Sequence, residues 1–543
     1  MLLTWEPTPA SPFGTERNVI NVPNKSSWMT RQAGILLPVS SLPSPYGFGS
    51  FGKAAREWVD FLHAARQSCW QVLPLGPTSF GNSPYQSYSA FAVDPLYMDL
   101  DLLCEEGLLS EKRLKKAKWG GEPDRVDYDA VRAAKEPLLR KAYENFKKEK
   151  ALSRFCKQNA AWVEDYALFM ALKDQHGGVP WYQWEEGLRL RQPAAIKAAK
   201  KSLAKEAGYY AFTQYLCYKQ WEKLKKYANK KGVRIVGDAP IYVSADSADV
   251  WAHPELFQLD EGNLPTAVAG CPPDAFSEDR QLWGNPLYRW DRMEEDGYAW
   301  WISRIKANLE MFDVLRIDHF RGFESYWAIP YGDETAKNGK WRKGPGMSFV
   351  KAVNQAVPGA AIIAEDLGML TPAVHRLLKQ SGYPGMKVLQ FAFSAGEESS
   401  YLPHNLERNA VIYTGTHDND TTRGWLDAAS PQDLEKARDY LGFETPEAGV
   451  WALIRAAQAS VCGLCVIPMQ DYLGLGPQAR INAPSTVGPH NWSWRMERGA
   501  CTKELAKKIA RLTVITGRAE MEDTHERKRR TGKKAGRKKA ERG

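Results

Sequence analysis

Three acidic residues, each closing a short apolar run, are the side chains in this sequence best placed to do chemistry. Asp318 follows VLRI, Glu365 follows AIIA, and Asp418 ends the stretch VIYTGTHD. A single acid at such a place is ordinary, a solvated strand end or a helix N-cap. Three at equivalent places, with Arg316, His319 and His417 beside them, fit the cleavage of a glycosidic bond with retention of configuration. That reaction needs one carboxylate to attack the anomeric carbon and one carboxylic acid, ~5–5.5 Å away, to protonate the leaving oxygen. A third carboxylate can hold sugar hydroxyls and stabilise the developing positive charge. The acid must keep its proton near neutral pH, which burial beside other anions achieves. Arg316, two residues before Asp318, projects to the same side of a strand and can keep Asp318 ionised.

The elements that must carry these residues are short and buried. Strand-like runs recur at Ile35–Val39, Trp70–Leu75, Val233–Val236, Val314–Ile317, Ala361–Ala364, Val388–Phe393, Val411–Thr414 and Cys465–Met469. Helical periodicity separates the later ones, at Ser348–Ala356, Pro372–Leu378 and Pro431–Tyr440. Eight strands alternating with helices predict an α/β fold, a closed (β/α)8 barrel, with the acids at its C-terminal rim. The long gap after the second run, Lys- and Ala-rich with amphipathic periodicity, predicts a largely helical insertion at about residues 100–210. A second insertion, about 241–301 and crowded with Pro, Gly, Trp and Asp, reads as loop-rich. The catalytic barrel is expected over 34–525, between a loose lead-in (1–33) and a disordered basic tail (526–543). No internal repeat is apparent.

Composition narrows the classes of partner. The chain of 543 residues has a formal charge of +9, but Arg527–Gly543 alone holds ten basic residues and one acid. The rest carries 63 residues of each sign and is neutral, which argues against a nucleic-acid-binding body. The tail is expected to be a solvated appendage, with nonspecific tethering to an anionic polymer as the sharper reading. Twenty Trp and 23 Tyr suit core packing for the most part, though flat amphipathic rings also suit the apolar faces of sugars. Of eight Cys, only Cys462 and Cys465 have C-x-x-C spacing. With no second pair to complete a zinc site, they read as reduced, buried thiols. No metal-ligand cluster appears and the chemistry needs no cofactor. No stretch approaches the ~18 apolar residues of a membrane span, and the amino terminus lacks the pattern of a secretory leader. A cytoplasmic enzyme is the expectation.

At its candidate site the sequence closely resembles the amylomaltases, or disproportionating enzymes, a family of 4-α-glucanotransferases. The resemblance is carried by GDAPIYV (Gly237–Val243), RIDHFRGFESYWAIP (Arg316–Pro330), AEDLG (Ala364–Gly368) and GTHDNDTTRGW (Gly415–Trp425). Further matches are NSPYQSYSAFA (Asn82–Ala92), PPDAFSEDRQLWGNPLY (Pro272–Tyr288), GYPGMKVLQFAF (Gly382–Phe393) and NAPSTVGPHNWSWR (Asn482–Arg495). They run in order from about Gly34 to Leu512. The resemblance implies a catalytic (β/α)8 barrel with inserted subdomains after strands 2 and 3 and without a C-terminal β-sandwich. It implies Asp318 as nucleophile, Glu365 as general acid/base and Asp418 as transition-state stabiliser. It further implies substrate contacts from Ser83, Tyr85, Asp238, Trp283, Arg316, His319, His417 and Asn419. Tyr85 would stack on a donor sugar, and Trp283 would belong to a loop covering the glucan.

The same carboxylates can serve transfer or hydrolysis, since a sugar hydroxyl or water can resolve the covalent intermediate. A bound acceptor with an effective molarity on the order of 10⁵ M outcompetes water, and the aromatic second insertion is suited to closing over it. Transfer of α-1,4-glucan segments to a sugar acceptor is therefore the expected function. An α-glucan hydrolase is the alternative, and a catalytically silent binding protein the more distant one.

Overall fold

The computed structural model describes residues 28–272, 281–368, 370–394 and 399–520. Most of the expected lead-in and the whole of the basic tail lie outside these residues. Twelve strands run through the described chain: β1 (Gln32–Leu36), β2 (Cys69–Gln71), β3 (Arg234–Ala239), β4 (Ala267–Gly270), β5 (Leu282–Pro286), β6 (Val314–Ile317), β7 (Ser325–Pro330), β8 (Lys340–Lys343), β9 (Ile362–Ala364), β10 (Gly385–Val388), β11 (Ala410–Tyr413) and β12 (Leu464–Pro468). Eight of them pair in parallel in the order β10-β11-β12-β1-β2-β3-β6-β9. The ring is drawn together at its seam by a hydrogen bond from the Ala364 N–H to the Pro384 carbonyl, 2.9 Å.

Period-two alternation explains why the ring is filled and not open. Leu36, Cys69, Val236, Val314, Ile363, Met386, Val411 and Val466 form one buried cluster to which all eight barrel strands contribute. Their sequence neighbours Ile35, Trp70, Ile235, Leu315, Ile362, Ile412 and Ile467 belong to the larger core outside the ring, against the helices. Trp28 joins the inner cluster, below β3, where Arg234 donates to its carbonyl at 3.0 Å. Two residues further along the same inward rows the side chains turn polar: Gln71 above Cys69, Asp238 above Val236, Arg316 above Val314 and Glu365 above Ile363. An apolar floor thus carries a polar rim at the C-terminal ends of the strands, where barrel enzymes keep their sites.

The long excursions lead to that rim. Between β2 and β3 the chain forms helices that include Tyr128–Asn145, Val163–Gln175 and Ala204–Lys230. Lys173, 3% exposed, ties this region to the chain after β3 through Asp246, 2.6 Å. Between β3 and β6 the expected loop-rich stretch carries more regular structure than its composition suggests. It holds β4 and β5, which join β7 and β8 in an antiparallel sheet of order β5-β4-β7-β8, and helices Ala248–Ala252, Trp290–Glu295 and Ala299–Met311. The sixth barrel strand also differs in register from the reading Val388–Phe393. The strand is β10, and Leu389–Phe393 continues as a 3-10 turn. Gly385 allows the earlier start, because a Cβ there would lie 2.6 Å from Asp366 Oδ2. That carboxylate accepts the Met386 N–H at 2.6 Å. Cys462 and Cys465 are free and buried. Among the described residues no helix is long and apolar enough to cross a membrane, and no group of three or more His, Cys, Asp and Glu side chains is arranged to hold a metal ion.

Candidate active site

Register sets the foundation of the site. Asp238 on β3 pairs with Arg316 on β6, and Arg316 with Ile363 on β9, so the inward side chains of three adjacent strands meet above the apolar floor. Arg316 is 3% exposed and Asp238 2%. Arg316 Nη1 contacts both Asp238 oxygens at 2.7 and 2.8 Å, while its Nη2 lies 2.9 Å from Asp318 Oδ1. One guanidinium, which keeps its proton at any working pH, therefore serves two carboxylates. Burial and the neighbouring Asp318 push the Asp238 carboxyl upward, and Arg316 opposes them. The Asp318 side chain remains 29% exposed, so a substrate can reach it.

Glu365 stands one strand further on, and its carboxyl is bound on both oxygens. Oε2 accepts the His319 N–H at 2.7 Å and Oε1 the Leu367 N–H at 2.6 Å. These donors favour the ionised form, as does Arg316, yet burial and the charge of Asp318 prevail and push the carboxyl up to about 8. Glu365 thus keeps a proton near Asp318, whose Oδ1 is paired with the Arg316 guanidinium, an arrangement that retaining glycosidic cleavage can use. His319 takes a left-handed backbone conformation, φ 50°, which aims its N–H at Glu365. Burial lowers its imidazole to about 4, so it is neutral and adds no cation.

A second group converges from β11. Beyond Tyr413 the chain makes a tight turn, in which Asn419 Oδ1 accepts from the Thr416 N–H and Oγ1 at 2.9 and 2.8 Å. His417 is 3% exposed and its Nε2 lies 3.4 Å from Asp418 Oδ2. Asp418 itself is 46% exposed, and Asn482 Nδ2 donates to its Oδ1 at 2.7 Å. Tyr85 stacks on His417, centroids 5.0 Å apart, and donates its phenol to Asp238 Oδ2 at 2.8 Å. Burial beside Asp238 keeps that phenol protonated. Ser83 supports Tyr85 from its own turn, its Oγ accepting the Tyr85 N–H at 3.3 Å. Trp283, on β5, sets its ring edge-on to His319 at 4.8 Å.

The structure thus joins Asp238 and Asp318 through the Arg316 guanidinium and sets Glu365 on the His319 N–H, next in sequence to Asp318, with Tyr85 linking Asp238 to His417 and Trp283 against His319. Ser83 and Asn419 spend hydrogen bonds on their own turns. Sequence reading assigned nothing to Asn482, to Arg480, whose Nη2 donates to the Asp418 carbonyl at 2.7 Å, or to Trp492, 5.7 Å from the Tyr85 ring. The only available signal was that Asn482 and Trp492 fall within a family-like motif.

A (β/α)8 barrel whose mouth gathers these carboxylates is an enzyme of glycosidic bonds. Comparison with known proteins narrows the class. The chain belongs to the 4-alpha-glucanotransferase family, whose model matches residues 37–502. It is 47% identical to the 4-alpha-glucanotransferase of Clostridium butyricum over 486 residues, covering 89% of this chain and 100% of that one. It is likewise 47% identical to that of Thermus thermophilus over 503 residues, 90% and 99% covered. Among solved structures, the amylomaltase of Streptococcus agalactiae in complex with acarbose superposes with a TM-score of 0.88 at 40% identity, over 90% of this chain and 100% of that one.

Proposed function

We propose that the protein is a retaining 4-α-glucanotransferase, which cuts an α-1,4-glucan and moves the released segment to the 4-hydroxyl of another glucan or of glucose. The observation that carries this reading is the contrast between two neighbours. Asp318 Oδ1 lies 2.9 Å from the Arg316 guanidinium, while Glu365 keeps its proton up to about 8. Asp318 attacks the anomeric carbon as Glu365 delivers its proton to the departing oxygen, leaving a glucosyl ester on Asp318. The acceptor hydroxyl then attacks that ester's anomeric carbon and returns its proton to Glu365. Asp418, oriented by Asn482, accepts from the hydroxyls of the reacting sugar and strengthens its hold as positive charge develops. Tyr85 offers a face to the donor sugar, with Ser83, Asp238, His417 and Asn419 on the same side of the cleft. Trp283 and His319 cover the other side. Family membership and the aromatic cover favour transfer over hydrolysis.

Maltotriose tests this directly. Longer oligomers and glucose with constant reducing ends are expected, and Asp318→Asn should abolish them. Reducing ends that rise without longer products would establish hydrolysis instead.

A further inference from the structure

The loop bearing Tyr85 and the strand bearing Trp283 are far apart in the chain, yet one side chain joins them. Gln86 Nε2 donates to the Trp283 carbonyl at 3.3 Å and to Asn285 Oδ1 at 3.1 Å. Its own backbone is held within the Tyr85 turn, its N–H on the Ser83 carbonyl at 3.0 Å and its carbonyl accepting the Ser79 N–H at 2.8 Å. The strand it grips is weakly laddered. β5 pairs with β4 only at Val268–Pro286 and Gly270–Leu282, with a register shift between, and Gly284 there takes φ 74°. Such irregular pairing leaves the stretch Trp283–Asn285 dependent on side-chain support.

The support has a defined polarity. Asn285, 5% exposed, donates its Nδ2 to the Val243 carbonyl at 2.8 Å. A carbonyl cannot donate, so the amide of Asn285 cannot flip and must present its oxygen to Gln86. The Trp283 carbonyl is likewise an acceptor. Residue 86 must therefore supply a donor to two acceptors, and an acceptor of the same shape in its place would face both oxygens.

We infer that Gln86 is a positioning residue that sets the separation between the Tyr85 and Trp283 sides of the cleft, and thereby the competition between acceptor sugar and water for the covalent intermediate. The inference rests on the transferase reading above. Loosening the Trp283 stretch opens the flank next to His319 and Asp318 to water and weakens the hold on an acceptor.

The test is the partition of one intermediate. Wild type, Gln86→Glu and Gln86→Met are given maltotriose, and transfer products are compared with net new reducing ends at several acceptor concentrations from about pH 5 to 8. Transfer and hydrolysis discharge the same ester with the same base, so titration of Glu365 cancels in their ratio. For Gln86→Glu at pH 8 the hydrolytic share and the acceptor KM should each rise about tenfold, the scale of one to two lost hydrogen bonds. As pH falls, the introduced carboxyl takes up a proton and regains a donor, and the ratio should move back toward wild type. Gln86→Met fills the same space without a donor and should stay impaired at every pH. It also decides the matter should the Gln86→Glu protein fail to fold. A wild-type ratio in either folded variant at pH 8 overturns the inference, as does a Gln86→Glu ratio that does not respond to pH. Wild-type protein that makes no longer oligomers would instead overturn the transferase reading.

Discussion

Glutamine in place of Glu365 keeps the shape of the side chain and abolishes its proton exchange, so comparing the two proteins across pH isolates what the buried carboxyl does. Burial, reinforced by Asp318, holds this carboxyl protonated from its ordinary value of 4.5 up to about 8. In the wild type, kcat/KM on maltotriose should therefore hold to near pH 8 and then fall tenfold per unit. Glu365→Gln should lose on the order of 10²–10⁴ in rate and show no such limb. An α-glucosyl fluoride, whose leaving group needs no proton, should restore much of the first step. Stability carries the same signature with a definite sign. A folded-state value raised above the unfolded one gives stability that is complete below 4.5 and is lost as pH rises to about 8, at roughly 1.4 kcal/mol per pH unit. Summed over that window the loss approaches about 5 kcal/mol. Thermal unfolding of both proteins from pH 5 to 8 should show the glutamine variant gaining steadily on the wild type. A basic limb at or below pH 6, or a melting difference that is flat in pH, would refute the argument that burial keeps this proton in place.

Arg316 and Asn482 give two further tests. Arg316→Met leaves Asp238 and Asp318 without their shared cation at a site 3% exposed; a loss of about 3–5 kcal/mol is expected in denaturant unfolding, together with loss of transfer. Asn482→Ala removes the 2.7 Å donor to Asp418 at a solvent-accessible site, so kcat/KM should fall roughly tenfold or more while the melting temperature stays within a degree or two.

What could be seen in the sequence was whatever depends on local periodicity. All eight barrel strands announce themselves as apolar runs closed by polar residues, and those strand ends set Asp318, Glu365 and Asp418 on one rim with Arg316 beside Asp318, whereas Asp238 is marked only by its family-like motif. The start of β10 was hidden because its 3-10 continuation, Leu389–Phe393, is as apolar as the strand before it. β4 and β5 look like loop in the sequence because their pairing is short and interrupted by a register shift. Asn482, Arg480 and Gln86 could not have been assigned roles from periodicity at all. Their partners lie 62 and 64 residues away for Arg480 and Asn482, and 197 and 199 away for Gln86. Contacts at that range exist only once the barrel has closed.

His319 has a wider consequence. Its left-handed backbone presents the peptide N–H after Asp318 to Glu365 Oε2, so one anchor of the Glu365 carboxyl is main chain and not a side chain. A side-chain substitution at this position can alter the contact with Trp283 while leaving that anchor in place, provided the new residue tolerates the conformation, as glycine or asparagine does. The anchor of Glu365 and the face that residue 319 turns to Trp283 are therefore separately heritable. Mutation can reshape that face at residue 319 without first removing the N–H that Glu365 accepts.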